Sequence, residues 1–284
     1  LIAALALVSY LMVLQWNEDY GPSRQPEQQV TSTSAYSSDA AAAVSELPQA
    51  SDAAASADIP QTGTDTSAVA NASATGLITV RTDVLELLID PRGGDIIQAA
   101  LPKHKAALHS TQPFILLEQN ANRTYVAQSG LIGTDGPDAN ANGRPVFSSA
   151  QTEYALEGDS LVVDLNFTTE QGVEITKRFT FFQGEYRVGM EYLIKNPTEA
   201  PFQGVLFGQI KRDGSSDPSQ QNSMGMQSYL GAVFSTAENN YQKVDFGDMD
   251  DARFNVTSPD GWVAMVQHYF LSAWIPQPGT EYTY

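Results

Sequence analysis

There is no cysteine anywhere in these 284 residues, so neither a disulfide framework nor thiol chemistry is available. A cysteine-free chain suits an oxidising compartment, where it cannot mispair. Positive charge is scarce as well: 15 Lys and Arg stand against 33 Asp and Glu, a net charge of −18. Nucleic-acid binding needs clustered Lys and Arg against phosphate, and the longest basic runs here are the pairs Lys177-Arg178 and Lys211-Arg212. Such pairs are expected on an ordinary solvated surface. Imidazole is rarer still. His104, His109 and His268 are the only three, and none sits at a metal-binding spacing. After Leu77 no apolar stripe at helical spacing runs longer than about two turns.

One long, almost wholly apolar run is present, Leu1 to Leu14. Crossing a bilayer core takes roughly 20 apolar residues, so this run is expected to be the visible part of a membrane segment. A cleaved signal peptide would show small residues in an A-x-A-like pattern, and Leu11 to Glu18 has none. Residues 1–16 are therefore expected to be a retained, truncated transmembrane signal anchor. Trp16 and Tyr20 stand where interfacial aromatics sit, and Glu18 and Asp19 follow without a basic flank. Positive charge marks the cytoplasmic side, which places everything after about residue 20 outside it.

Residues 17–76 have a different composition. Arg24 is their only basic residue, and Ser32 to Thr75 is mostly Ala, Ser, Thr, Asp, Gln and Pro. Too little apolar surface is available to offset the cost of ordering a backbone. The stretches Ala40 to Val44 and Ala53 to Ala57 are short and lack an apolar stripe, so a disordered acidic tether is expected over a helix.

From residue 77 to 284 the pattern turns β-like. Leu161, Val163, Leu165 and Phe167 alternate with Val162, Asp164, Asn166 and Thr168, the period of a half-buried strand. Val173, Ile175, Phe179 and Phe181 share the next strand's face, with Lys177 set among them; Gln183-Gly184 turns the chain, and Tyr186 to Ile194 repeats the pattern. With Phe202 to Ile210 these predict a meander of about four strands. Further strands are expected at 77–80, 84–89, 114–117, 124–128, 227–234, 241–244 and within 262–274. The reading is one large all-β domain, in the size range of a sandwich.

Candidate sites are few. Asp138-Ala-Asn140-Ala-Asn142-Gly143 matches the first half of a calcium loop, but Ser149 stands where the closing bidentate Glu belongs. A polar turn is the simpler expectation. Asp245, Asp248, Asp250 and Asp251 are expected in a solvated loop or a short helix start. Asp245-Phe246-Gly247 spells a kinase tripeptide without its companion motifs. Gly93-Gly94 after Pro91-Arg92 reads as a tight turn, since no phosphate-loop pattern follows. His268, between Gln267 and Tyr269, is expected to be a structural histidine in an aromatic strand. No catalytic, cofactor-binding or metal-binding residue is assigned.

The stretch Gly261 to Pro276, GWVAMVQHYFLSAWIP, closely resembles the strand pair near the end of the periplasmic domain in YidC-type membrane protein insertases. Gly93 to Ile96 with Ala100 to Lys103 is similar to that family's early Gly-Gly turn and following strand. Lys177 to Phe181 with Tyr186 to Val188 resembles its central hairpin, and Tyr241 to Phe246 another of its segments. Anchor, acidic tether and β-domain also follow the family's order. The resemblance implies a bacterial inner-membrane insertase, with a galactose-mutarotase-like β-supersandwich in the periplasm. It implies help in the insertion, folding and assembly of nascent membrane proteins, alone or beside the Sec translocon and its SecD/SecF accessory. The family's hydrophilic groove lies in later membrane helices, so no insertase site is carried onto residues up to Tyr284. Two other classes stay open: a carbohydrate-binding or mutarotase-like domain on an anchor, and an anchored envelope structural protein. Trp262, Tyr269, Phe270 and Trp274 are the candidates for structural or partner-binding roles, on strands expected to be covered on both faces.

Overall fold

The computed structural model describes residues 76–140, 143–218, 228–251 and 254–284. The expected anchor at 1–16 and, apart from Gly76, the expected tether at 17–76 lie outside the described residues. Among the described residues no helix is long and apolar enough to cross a membrane.

Strands dominate. In chain order they are β1 (Ile78–Arg81), β2 (Glu86–Asp90), β3 (Asp95–Lys105), β4 (Pro113–Asn120), β5 (Arg123–Ile132), β6 (Ser148–Ser149), β7 (Glu153–Ala155), β8 (Ser160–Thr168) and β9 (Glu174–Phe182). There follow β10 (Val188–Lys195), β11 (Val205–Arg212), β12 (Gly231–Thr236), β13 (Gln242–Val244), β14 (Thr257–Ser258), β15 (Gly261–Val266), β16 (Leu271–Trp274) and β17 (Tyr282–Thr283). Among the described residues a 3-10 turn, Pro137–Ala139, and a short helix, α1 (Phe246–Asp251), interrupt them. The largest sheet has the order β11-β5-β4-β3-β2-β1-β7. A second runs β10-β9-β8-β6, a third β13-β12-β15-β16, and β14 pairs with β17.

The two larger sheets bury one core between them, because alternation puts every second side chain of each strand on the same face. Ile78, Val80, Leu87 and Ile89 supply one side, and Val163, Leu165, Ile175, Phe179 and Phe181 the other. Each such side chain contributes roughly 1.5–3 kcal/mol by leaving water. The third sheet is pinned beside them: Trp274 Nε1 on β16 donates to Gln209 O on β11 at 3.0 Å, and Tyr125 OH lies 2.7 Å from Ser272 Oγ.

The expected four-strand meander ends one strand early. β8, β9 and β10 follow each other in one sheet, but β11 crosses over and pairs with β5, from Val205 opposite Ile132 to Arg212 opposite Tyr125. Period-2 patterning shows which face a strand buries, not which strand lies beside it. β3, the longest strand at eleven residues, carries Pro102 where its register with β4 shifts between Leu101 and Lys105. Proline lacks a ladder donor and is tolerated at such an irregularity.

Candidate functional site

Gly93 and Gly94 join β2 to β3 with φ of 73° and 64°, a left-handed pair that glycine adopts without a Cβ clash. The turn leaves the Gly93 carbonyl pointing into the molecule with no strand partner. Across from it, the Ser129 carbonyl of β5 lies beyond the point where β3 and β5 pair, at Ile96 and Ala127. Two buried cations fill this gap. Lys177 Nζ donates to Gly93 O at 2.8 Å and to Ser129 O at 3.0 Å. Arg144 Nη2 donates to Ser129 O at 2.8 Å.

The guanidinium of Arg144 also reaches two carboxylates. Its Nε donates to Asp138 Oδ1 at 2.7 Å and its Nη1 to Asp95 Oδ2. Asp138 Oδ2 accepts from Leu131 N at 2.9 Å, and Gln128 Nε2 donates to Asp95 Oδ2 at 2.8 Å. Two carboxylates thus face two cations, and none of the four side chains is more than a tenth exposed. Glycine is required around them. A Cβ on Gly94 would come within 2.9 Å of Lys177 Cδ, and one on Gly130 within 2.5 Å of the Asp138 carboxylate.

Burial sets the protonation of the cluster. Loss of water pulls the Lys177 ammonium down to about 7; Asp95 and Asp138 oppose this and Arg144 adds to it. Burial pushes the Asp138 carboxyl up, against Arg144 and the Leu131 N–H. For Arg144, burial works downward, but the two carboxylates outweigh it and hold the guanidinium above its usual range. The cluster ties a hairpin turn to a strand. It offers no exposed nucleophile.

Next to it lies a shallow groove of about 170 Å³, walled by Asp95 and Arg144 of the cluster itself together with Asp90, Arg92, Gln128 and Lys211. No histidine lines it. His104 and His268 lie at the end of the strands where β3 runs out and β15 turns into β16. A paired His/Glu proton relay in the groove, which an epimerase would use, is therefore not assembled there.

Several expected positions change in character. Lys177 is not on a solvated surface but fully buried. In the second basic pair, Arg212 is also drawn inward: its guanidinium lies 4.7 Å from the Tyr125 ring centroid and donates to Gln267 Oε1 at 2.8 Å. Asp138 belongs neither to a calcium loop nor to a solvated turn, since Arg144 and Leu131 N occupy both its oxygens. His268 lies between strands, its backbone N–H donating to Asp217 Oδ2 at 3.0 Å. Among the tripeptide and acidic run, Asp245 and Asp248 cap α1, with Asp248 N donating to Asp245 Oδ1 at 2.9 Å.

The four aromatic candidates separate. Trp274 lies against Gly208, where a Cβ would approach its indole to 2.9 Å. Phe270 stacks on Phe114 with centroids 4.1 Å apart. Trp262 is half-buried and meets Tyr241 edge-on at 6.3 Å. Tyr269 is 71% exposed, and Leu271 and Ile275 are open as well. Within β15 and β16 themselves only Leu271 is exposed, whereas Tyr269 and Ile275 lie just outside the two strands.

Residues 77–284 match the family model described as the YidC periplasmic domain. Over 280 residues the chain is 48% identical to "Membrane protein insertase YidC" of Azotobacter vinelandii, covering 97% of this chain and 49% of that protein. It is 48% identical over 285 residues to the protein of that name from Stutzerimonas stutzeri, covering 98% and 50% respectively. With the Marinomonas sp. protein of the same name the identity is 43% over 283 residues, 99% of this chain and 50% of the relative. The chain spans about half the length of these curated relatives.

Proposed function

The chain belongs to the YidC family, and on that premise we propose that it is the anchor and periplasmic portion of an inner-membrane insertase. The whole protein assists the insertion, folding and assembly of nascent integral membrane proteins, alone or with the Sec translocon and SecD/SecF. The portion here positions partners and does no chemistry of its own. Residues 1–16 hold it in the membrane, 17–76 give it reach, and 77–284 form a galactose-mutarotase-like supersandwich on the periplasmic side. The observation that carries this reading is the match of the family model along the whole β-domain, 77–284. The buried ion cluster supports it, because its four charged side chains are spent on backbone carbonyls and on each other. Within this reading Trp274 and Phe270 hold the third sheet in place, while Trp262 and Tyr269 are available to a partner.

A chimera tests the proposal. This chain replaces the corresponding half of the Azotobacter vinelandii relative, and the product is expressed in cells depleted of their own insertase. Growth and insertion of a reporter membrane protein are the expected results. A chimera that accumulates in the membrane yet supports neither, where the intact relative supports both, overturns it.

A further inference from the structure

The hairpin tip between β3 and β4 stands apart from the rest of this acidic chain. From Ile96 to Leu117 there is no Asp or Glu, while Lys103, His104, Lys105 and His109 fall within seven consecutive positions. Beyond Leu101 the hairpin keeps a single paired position, Lys105 with Pro113, and residues 102–109 are all exposed. The tip is nevertheless built. Ala106 N donates to Gln112 O at 3.0 Å and Ser110 N to Ala107 O at 3.0 Å, which encloses Leu108 and His109 in a tight turn. His109 holds φ of 74°, the only non-glycine residue among those described with positive φ. A left-handed backbone is unfavourable for a residue with a Cβ, and such outliers cluster where function uses them. The result is a leucine 87% exposed at the apex of the turn.

Neighbouring loops extend this surface. His104 Nε2 lies 3.1 Å from Tyr186 OH, and its ring meets Phe270 edge-on at 5.4 Å. Tyr186, Tyr269 and Leu271, all substantially exposed, therefore share the end of the strands that carries the tip. Carboxylates are present but engaged: Asp83 pairs with Lys103 at 3.1 Å and Glu185 with Arg187 at 3.0 Å. Lys105 has no carboxylate within ion-pair distance among the described residues.

We infer that the β3–β4 tip is a bilayer-contact element, with Leu108 entering the interface and Lys105 meeting anionic phospholipid headgroups. An aliphatic apex flanked by cations and by tyrosines matches the layering of a membrane surface, apolar at depth and polar with tyrosine and positive charge at the headgroups. The acid-free stretch supplies the charge complementarity, because a chain of net charge −18 is repelled from an anionic surface at most other points. This inference goes beyond the insertase reading and fails or survives separately, since its readout is lipid contact rather than growth.

The absence of cysteine makes the test clean. A single environment-sensitive label is placed at Leu108→Cys in the full chain, reconstituted into vesicles that contain spin-labelled lipid. Quenching is expected in phosphatidylglycerol/phosphatidylcholine vesicles and not in phosphatidylcholine alone. A label at Glu199→Cys, in the β10–β11 connection, is expected to stay unquenched. Each lysine near an anionic surface is worth about a fivefold change in equilibrium, so Lys105→Gln is expected to lower the ratio of quenched to unquenched label about fivefold. Both labelled positions are exposed, and an unchanged thermal melt checks that each variant folds. An unquenched label at 108, equal quenching at 199, or quenching indifferent to phosphatidylglycerol overturns the inference. So does self-quenching that follows protein concentration, which would assign the tip to a second copy.

Discussion

Replacing Lys177 by methionine keeps most of the buried stem and removes the nitrogen that bridges Gly93 O and Ser129 O. The consequence depends on pH. Unfolded, the side chain has the ordinary lysine value near 10.5, whereas burial lowers it to about 7 in the fold. Between these values the unfolded chain binds the extra proton, so stability rises with pH, by up to about 1.4 kcal/mol per unit. The upper end of the window is set by Tyr125 and Tyr192, whose hydroxyls burial pushes above their normal range; these cause stability to fall once unfolded tyrosine ionises near pH 10. From pH 7 to 9.5 the lysine should thus add roughly 3 kcal/mol to wild-type stability. The neutral amine suits its site, with two N–H groups for two carbonyls. Lys177→Met should lack this slope. It should equal or exceed the wild type below pH 6, where the wild type carries an ammonium ion buried at a cost, and fall below it at pH 9.5, where two hydrogen bonds of about 1 kcal/mol each are missing. Urea unfolding of both proteins in mild detergent, followed by tryptophan fluorescence across this range, measures the difference. Superimposable pH profiles would refute the idea that Lys177 titrates inside the fold.

Removing one carboxylate of the buried cluster should be more damaging than removing a surface pair: Asp138→Ala is expected to cost about 3–5 kcal/mol in urea unfolding because it leaves the buried Arg144 Nε and Leu131 N without an acceptor and half of the guanidinium's charge partners gone, and a loss below 1 kcal/mol would show that the cluster relaxes. Trp274→Ala should lose roughly 3–5 kcal/mol and Tyr269→Ala about 0.5 or less; thermal melts that shift equally would contradict the burial difference between them. Gly94→Ala should destabilise well beyond Gly184→Ala. Both have left-handed backbones, costing about 1–2 kcal/mol, but only Gly94 has a side chain, Lys177, in the way. In the chimera, His268→Ala and Asp248→Ala should leave reporter insertion unchanged, and loss of insertion by a well-folded His268→Ala protein would point to chemistry in this domain.

Much of the fold could be read from alternation alone. β8 and β9 carry apolar residues at nearly every second position, and both are strands with those residues buried or half-buried. The same alternation set Lys177 inside the apolar series from Val173 to Phe181, yet its pairing with Arg178 led to the expectation of a solvated side chain, and the structure buries it. What alternation does not contain is partnership. Nothing local to β11 indicates that it leaves β10 for β5, because the choice is made by contacts 73 or more positions away. Asp138 and Arg144 were equally hidden. Their spacing suggests a loop, and only the meeting of that loop with the β2–β3 turn makes it an ion pair. The family resemblance, by contrast, lay in contiguous aromatic and glycine-rich stretches, where a sequence carries most information.

The lysine that closes the gap at Gly93 lies 84 residues further along the chain. During synthesis the β2–β3 hairpin therefore emerges long before the group that satisfies its carbonyl, and β5 emerges before β11 can cover its flank. Pairings this distant carry a large loop-closure entropy and form slowly. The first half of the β-domain must wait, open-edged, until residues beyond Arg212 arrive. Completion then takes two late steps, the docking of β9 that buries Lys177 and the docking of β11 on β5, so newly made chains should be most vulnerable to proteases and to one another until both are done.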